Sequence, residues 1–194
     1  MTTGSTPKGE RRRQALVEAA AELLAEGGFD AVRHRAVAER AGLPLASTTY
    51  YFESLDELVT AAVEHHGRGE LERGRSCLAA MATAERGPED LVELVLELLL
   101  GPPSDSDADA VLLRYERLVA TGRRPYLRAL TRLLGDELRV LLKEILIRSG
   151  ADVDDRRVEH LISLVDGAVV NALIEINPDP RGKARSMLME ALAT

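Results

Sequence analysis

Between Pro44 and Glu53 the chain reads Leu45-Ala46-Ser47-Thr48-Thr49-Tyr50-Tyr51-Phe52, with five hydroxyl-bearing side chains in succession. A hydroxyl both donates and accepts hydrogen bonds. A row of them on a short helix therefore offers polar recognition, with a methyl group added at each threonine. No catalytic constellation accompanies the row: the four histidines have no visible nucleophile or carboxylate partnership, and neither His-Glu-x-x-His nor a Gly-rich phosphate loop occurs. His65 and His66 adjoin on a helix and point about 100° apart, so they cannot share a metal. The lone Cys77 excludes an intrachain disulfide. No enzyme activity, cofactor or metal is expected.

The elements that must hold the row in place are marked by local signals. Leu16, Val17, Ala20, Leu23 and Leu24 form a helical stripe from Glu10 to Glu26, closed by Gly27-Gly28. A short segment from Arg33 to Ala41 follows, then Gly42-Leu43-Pro44, where proline fits a turn or the first turn of the next helix. That next helix is Leu45 to Phe52. Ser54-Leu55-Asp56-Glu57 then has the form of a capping box. Two short helices joined by a Gly-containing turn make a helix-turn-helix, whose second helix enters the major groove of DNA. Val37, Leu43, Thr48 and Tyr51 are spaced to close its small core, and Ala38 is small where the helices cross. Hydroxyls on such a helix can bond base edges or phosphates, and threonine methyls can meet the thymine methyl.

Further along, the pattern predicts helices at roughly 54–84, 88–100, 107–121, 124–148, 154–176 and 180–193, separated by Gly- and Pro-rich turns and without strand alternation. The chain is therefore all-α, with about nine helices. A composition of 45% hydrophobic and 3% aromatic residues, with no Trp, builds the interior from Leu, Val, Ile and Ala. The polar start has no secretory apolar run, and no uninterrupted apolar stretch of about 18 residues follows. A cytoplasmic protein without membrane association is expected. The net charge is −7, yet residues 1–52 carry seven Lys and Arg against six acids, with Lys8 and Arg11 to Arg13 clustered. Such asymmetry points to a partner for the first quarter of the chain.

Gly28-Phe29-Asp30-Ala31, Val37-Ala38-Glu39-Arg40-Ala41-Gly42-Leu43, Tyr51-Phe52 and the Ser54 to Leu58 helix start resemble the amino-terminal signature of the tetracycline-repressor (TetR) family of transcriptional regulators. The resemblance covers about residues 10–60; the remainder agrees in layout. It implies a flexible basic arm over 1–9, a DNA-binding domain over 10–57 and a ligand-binding and dimerisation domain over 58–194. It also implies a homodimer on a palindromic operator in double-stranded DNA, usually a repressor, released by a small molecule. Carried over by position, Arg33, His34, Arg35, Leu45, Ala46, Ser47, Thr48, Thr49, Tyr50 and Tyr51 would meet DNA. The family's habitual lysines are Leu45 and Leu55 here, so fewer phosphates are neutralised by the motif itself.

In the remaining two thirds, residues 158–176 are apolar on nearly every side. By resemblance, this helix and the last one supply the dimer interface, with Leu161, Val165, Ala168, Val169, Ala172, Leu173 and Leu188 at the contact. Polar or soft residues on apolar faces, namely Cys77, Met81, Arg114, Tyr115, Tyr126 and Asn171, are candidates to line a pocket for a lipophilic effector. The helix from Ser54 to about Ala84 links the two halves and is the expected switch. The residues alone leave open a helical enzyme or carrier in which the helix-turn-helix is only packing.

Overall fold

A computed structural model describes residues 7–81 and 87–193, and every regular element among them is helical. The α-helices are α1 (Pro7–Ala31), α2 (His34–Arg40), α3 (Leu45–Tyr51), α4 (Leu55–Met81), α5 (Pro88–Leu100), α6 (Asp107–Thr121), α7 (Arg128–Arg148), α8 (Asp155–Ile174) and α9 (Pro180–Leu192). A 3-10 turn, Pro125–Leu127, precedes α7. All-α architecture is thus as the sequence indicates. Helix α1 begins at Pro7, so Pro7 to Gly9 are helical and not part of a flexible arm; the rest of that arm, residues 1–6, lies outside the described residues. Residues 82–84 of the expected long fourth helix also lie outside them.

The helix ends follow from local chemistry. Gly28 leaves the helical region at φ 65°, in the left-handed conformation that glycine tolerates, and one further turn runs to Ala31. At α4 the Ser54 hydroxyl accepts from the Glu57 N–H at 3.1 Å, while the Glu57 carboxylate accepts from the Glu53 N–H at 2.7 Å, one residue earlier than in a standard capping box. Asp154 caps α8 by accepting from the Arg157 N–H, and Asp179 caps α9 by accepting from the Gly182 N–H, both at 2.7 Å. Helix α8 stops at Ile174, short of the expected 176, because the chain turns there: Asn177 N–H donates to Ala172 C=O and Ile176 takes φ 55°, unusual for a β-branched residue.

The chain divides into two compact units, 1–67 with 116–130, and 68–115 with 131–194. Helices α4, α6 and α7 each pass from one unit to the other. The first unit therefore extends beyond the expected boundary at residue 57 and takes in a second segment from late in the chain. Its core comprises Leu16, Val17, Ala20, Leu24, Val32, Val37, Phe52, Leu58 and Ala62, together with Leu127 from that distant segment. The second unit is built on leucine-rich α5, with Val92, Val95 and Leu96 buried against Val111, Leu142, Ile145, Val158, Val165, Val169 and Leu188. Gly74 permits that packing, since a Cβ there would come within 2.3 Å of a Leu98 methyl carbon and 2.6 Å of one from Leu141.

Leu127 has no exposed surface and sits in a core otherwise formed by residues 16–63. Leu127→Ala should lower stability by about 2–5 kcal/mol, read as a lower urea midpoint at fixed protein concentration. A change below about 0.5 kcal/mol would show that residues 116–130 are not part of that core.

Candidate nucleic-acid interface

A seven-residue helix holds its shape only through what it packs on. On α3 that anchor is Thr48, which is fully buried, with its Oγ1 donating to Leu45 C=O at 2.8 Å. Phe52 follows, buried in the unit core, and its N–H donates to Thr48 C=O at 3.0 Å. In the turn before α3, Gly42 takes φ 63° and Leu43 N–H donates to Ala38 C=O at 2.9 Å, closing the joint between α2 and α3. Val37 and Ala38 are buried on the α2 side of that joint.

This anchoring fixes which side chains face outward. Leu45 and Thr49 form one i,i+4 row, and Ala46 and Tyr50 a second beside it; all four are exposed, Leu45 by 53% and Tyr50 by 80%. Tyr50 meets Tyr51 edge to face, with centroids 4.9 Å apart at 89°. Ser47 and Tyr51 are half-buried, Tyr51 against the unit core. Thr48 must therefore be removed from the expected DNA-facing set, because its hydroxyl is spent inside the motif. Sequence spacing fits it both to the small core and to the outer face, and packing selects the core.

The cations around α3 differ in what they already hold. Arg33 and Arg35 are exposed, and the Arg33 Nε donates to Asp30 C=O at 3.0 Å. His34 opens α2 half-buried, with an Nδ1 that is buried without a hydrogen-bond partner. Arg40 is committed elsewhere, bonding Glu26 at 2.9 and 2.7 Å and Glu22 at 3.1 Å across to α1. Those hydrogen bonds, to Glu26 first and Glu22 next, raise the arginine pKa above its usual value, and Arg40 in turn lowers that of the Glu26 carboxyl. Arg13 lies 4.9 Å from the Phe52 ring centroid, bracing α1 on the residue that ends α3. Exposed Lys8, Arg11 and Arg12 continue the basic edge of α1.

The same unit contains a cleft of about 220 Å³, lined by Phe29, Val32, Arg33, Asp56, Arg124 and Tyr126 among others. Arg124 stacks on Phe29 at 3.7 Å from the ring centroid. Tyr126, half-exposed, has its phenol pKa raised by burial and then by the charge of Asp56. Tyr126 was expected among the ligand contacts of the other unit and belongs here instead. Neither its role nor the recruitment of Leu127 has a local sequence signal, since Pro125 marks only a joint.

In the second unit the remaining ligand candidates are held in different ways. Tyr115 is buried and donates its hydroxyl to Asp166 Oδ1 at 2.7 Å; burial first, and that bond next, push its pKa far up. The Arg114 Nε donates to Leu99 C=O at 2.8 Å and its guanidinium pairs with Glu70. Both residues thus tie helices together. Cys77 lines a recess of only about 10 Å³ with Glu70, Gly74 and Leu98, and Asn171 is exposed on α8. The Met81 side chain lies outside the described residues. Of the residues expected at a dimer contact, Leu161, Val165, Ala168, Val169, Ala172 and Leu188 are buried within this chain, and Leu173 is packed against the same core. On the exposed side of α8, Ser163, Gly167, Val170 and Ile174 recur at helical spacing, flanked by the exposed Asp166 and Asn171.

Residues 86–194 match the family described as tetracyclin repressor-like, C-terminal domain, and residues 16–62 match the family described as bacterial regulatory proteins, tetR family. The chain belongs to the TetR family of transcriptional regulators. Its α2, turn and α3 are accordingly the helix-turn-helix of the TetR DNA-binding domain. Among solved structures, it is similar to the multidrug binding protein EbrR in complex with ethidium, at 30% identity and a TM-score of 0.65 over 93% of this chain and 98% of that one. A TetR family member from Streptomyces coelicolor A3 is 28% identical, with a TM-score of 0.63 over 93% and 98% of the two chains. A TetR transcription regulator from Haloarcula marismortui shares the fold at 21% identity, with a TM-score of 0.68 over 95% and 97%. No curated protein matches the chain. No helix among the described residues is long and apolar enough to cross a membrane.

Two adjacent threonines should therefore behave differently. Thr48→Ala should lower stability by about 1–3 kcal/mol, through loss of a buried hydrogen bond and methyl group. Thr49→Ala should stay within about 0.5 kcal/mol of the parent. Equal thermal shifts in the two variants would contradict the inward and outward assignment.

Proposed function

We propose that the protein is a homodimeric, ligand-responsive repressor that binds a palindromic operator through paired α3 helices and leaves it when a small molecule enters the second unit. The observation carrying this reading is the pair of outward rows on α3, Leu45 with Thr49 and Ala46 with Tyr50, set on a buried anchor in a TetR-family helix-turn-helix. Arg33 and Arg35 supply phosphate contacts beside the helix, with Lys8, Arg11 and Arg12 along α1. His34 stands with them at the start of α2, and Ser47 and Tyr51 flank the rows.

A dimer is supported by the face of α8 that the subunit leaves uncovered. Val170 is 40% exposed, Ile174 73% and Ile176 89%, and the exposed Gly167 has open space where a Cβ would stand. Small and apolar residues on one helix face suit a partner helix at close range. A two-fold pair places recognition helices about 34–36 Å apart on DNA. Response to a lipophilic molecule is supported by the leucine-rich core of the second unit and by the likeness to EbrR, a multidrug binding protein. Ligand binding would shift the population toward a conformer with a different helix spacing, and the continuous α4 is the element that carries the change. A cytoplasmic location follows from that role.

Fluorescence anisotropy with the protein's own upstream DNA tests the reading. Tyr50→Ala should weaken sequence-selective binding at least tenfold, the scale of about 1.4 kcal/mol, without lowering the melting temperature. Arg35→Ala should weaken all sequences alike and reduce the log–log salt slope by about 1 per subunit. Selective binding unchanged by Tyr50→Ala would overturn the assignment of α3. Separately, Ile174→Asp combined with Val170→Asp should yield monomers in sedimentation; a dimer persisting in that variant would place the interface on another surface.

A further inference from the structure

We propose that α3 identifies its DNA chiefly through thymine 5-methyl groups, so that the half-sites are thymine-rich where they face Leu45, Ala46 and Thr49. This rests on the reading of α3 as the recognition helix and specifies which chemical feature of the base pairs it takes.

Helix α3 lacks the side chains of the commonest base contacts. Its sequence, Leu-Ala-Ser-Thr-Thr-Tyr-Tyr, contains no guanidinium, ammonium, carboxamide or carboxylate. Three means of direct readout are therefore missing from the helix: the bidentate cation on guanine O6 and N7, the bidentate amide on adenine N6 and N7, and the carboxylate that accepts from cytosine N4. The exposed rows present instead the Leu45 side chain, the Ala46 methyl, the Thr49 side chain and the Tyr50 ring.

The hydroxyls are less available than their number suggests. Thr48 is fully buried and donates to Leu45 C=O. Thr49 is exposed, yet its Oγ1 donates backward to Ala46 C=O at 3.3 Å, leaving it an acceptor toward a partner. Ser47 is half-buried. Leu45, Ala46 and the Thr49 methyl therefore present hydrocarbon beside the exposed Tyr50 phenol, and the apolar group that thymine displays in the major groove is its C5 methyl. Covering such a methyl excludes water from both partners, and a buried methyl or methylene group changes affinity by about fourfold. In a two-fold complex the effect occurs twice, about fifteenfold for a symmetric pair.

The test begins with selection of the full-length protein on random duplex DNA. The enriched duplex is then remade with uracil replacing thymine one symmetric pair at a time. Uracil keeps pairing and the O4 acceptor and loses only the methyl group, so it separates methyl recognition from hydroxyl recognition. The proposal expects thymine at enriched positions in each half-site, and a drop of about fifteenfold for at least one uracil pair. Thr49→Ser, which keeps the hydroxyl and removes the methyl, should lose affinity for the thymine duplex and little for the matching uracil duplex. Leu45→Ala should do the same at a different base pair, which guards against a change peculiar to one side chain. Enriched half-sites that bind equally well with uracil throughout would overturn the methyl proposal and leave the regulator reading intact. A pool with no enriched sequence would remove both.

Discussion

Helix α3 is too short to exist by itself. Seven residues make fewer than two turns, and isolated helices shorter than about 12–15 residues are marginal in water. Its geometry is therefore borrowed from what Thr48 and Phe52 touch. Thr48 is buried where α3 meets the rest of the motif, and Phe52 enters the core built from α1, α2 and α4. Because both ends of the anchor are fixed, the remaining side chains of the helix have little choice of direction. Recognition chemistry on α3 is thus a product of packing beneath it.

That dependence extends outward through the first unit. Arg40 ties α2 to α1 through Glu22 and Glu26, and Arg13 lies on the Phe52 ring. The Arg40 pairs are largely exposed and each contributes modestly, so the stabilisation rests mainly on the buried apolar set. Part of that set comes from far along the chain: Leu127 fills the core, while Arg124 covers Phe29. Residues 116–130 belong to this unit, so α6 and α7 as well as α4 run from it into the second unit.

Much of this was legible in the sequence because the signals are local. Gly27-Gly28, Gly42-Leu43-Pro44 and Ser54 with Glu57 each specify a backbone conformation or a cap, and the helices begin and end beside them. The start at Leu45 follows directly, whereas Phe52, expected as the last helical residue, is extended and caps the helix at Tyr51. What could not be read is the choice between like residues. Thr48 and Thr49 have the same chemistry, and only tertiary packing decides that one is inside. Residues 158–176 are apolar on nearly all sides, so periodicity could not separate the subunit's own core, with Val165 and Val169, from the uncovered face with Val170 and Ile174. Arg114 and Tyr115 illustrate a third limit: a polar residue on an apolar helix face looks the same whether it binds a ligand or, as here, satisfies a neighbour. Leu127 has no local signal at all, because its partners lie more than sixty positions away in the chain.

The outward side of α3 is the proposed surface that meets DNA. It is tested most directly by a photoreactive benzophenone side chain introduced at position 50, and separately at exposed position 140 on α7, in the full-length protein mixed with its own upstream DNA. Irradiation should attach DNA to the protein labelled at position 50 and leave the protein labelled at 140 free. Attachment from 140 with none from 50 would show that the protein presents a different surface to DNA.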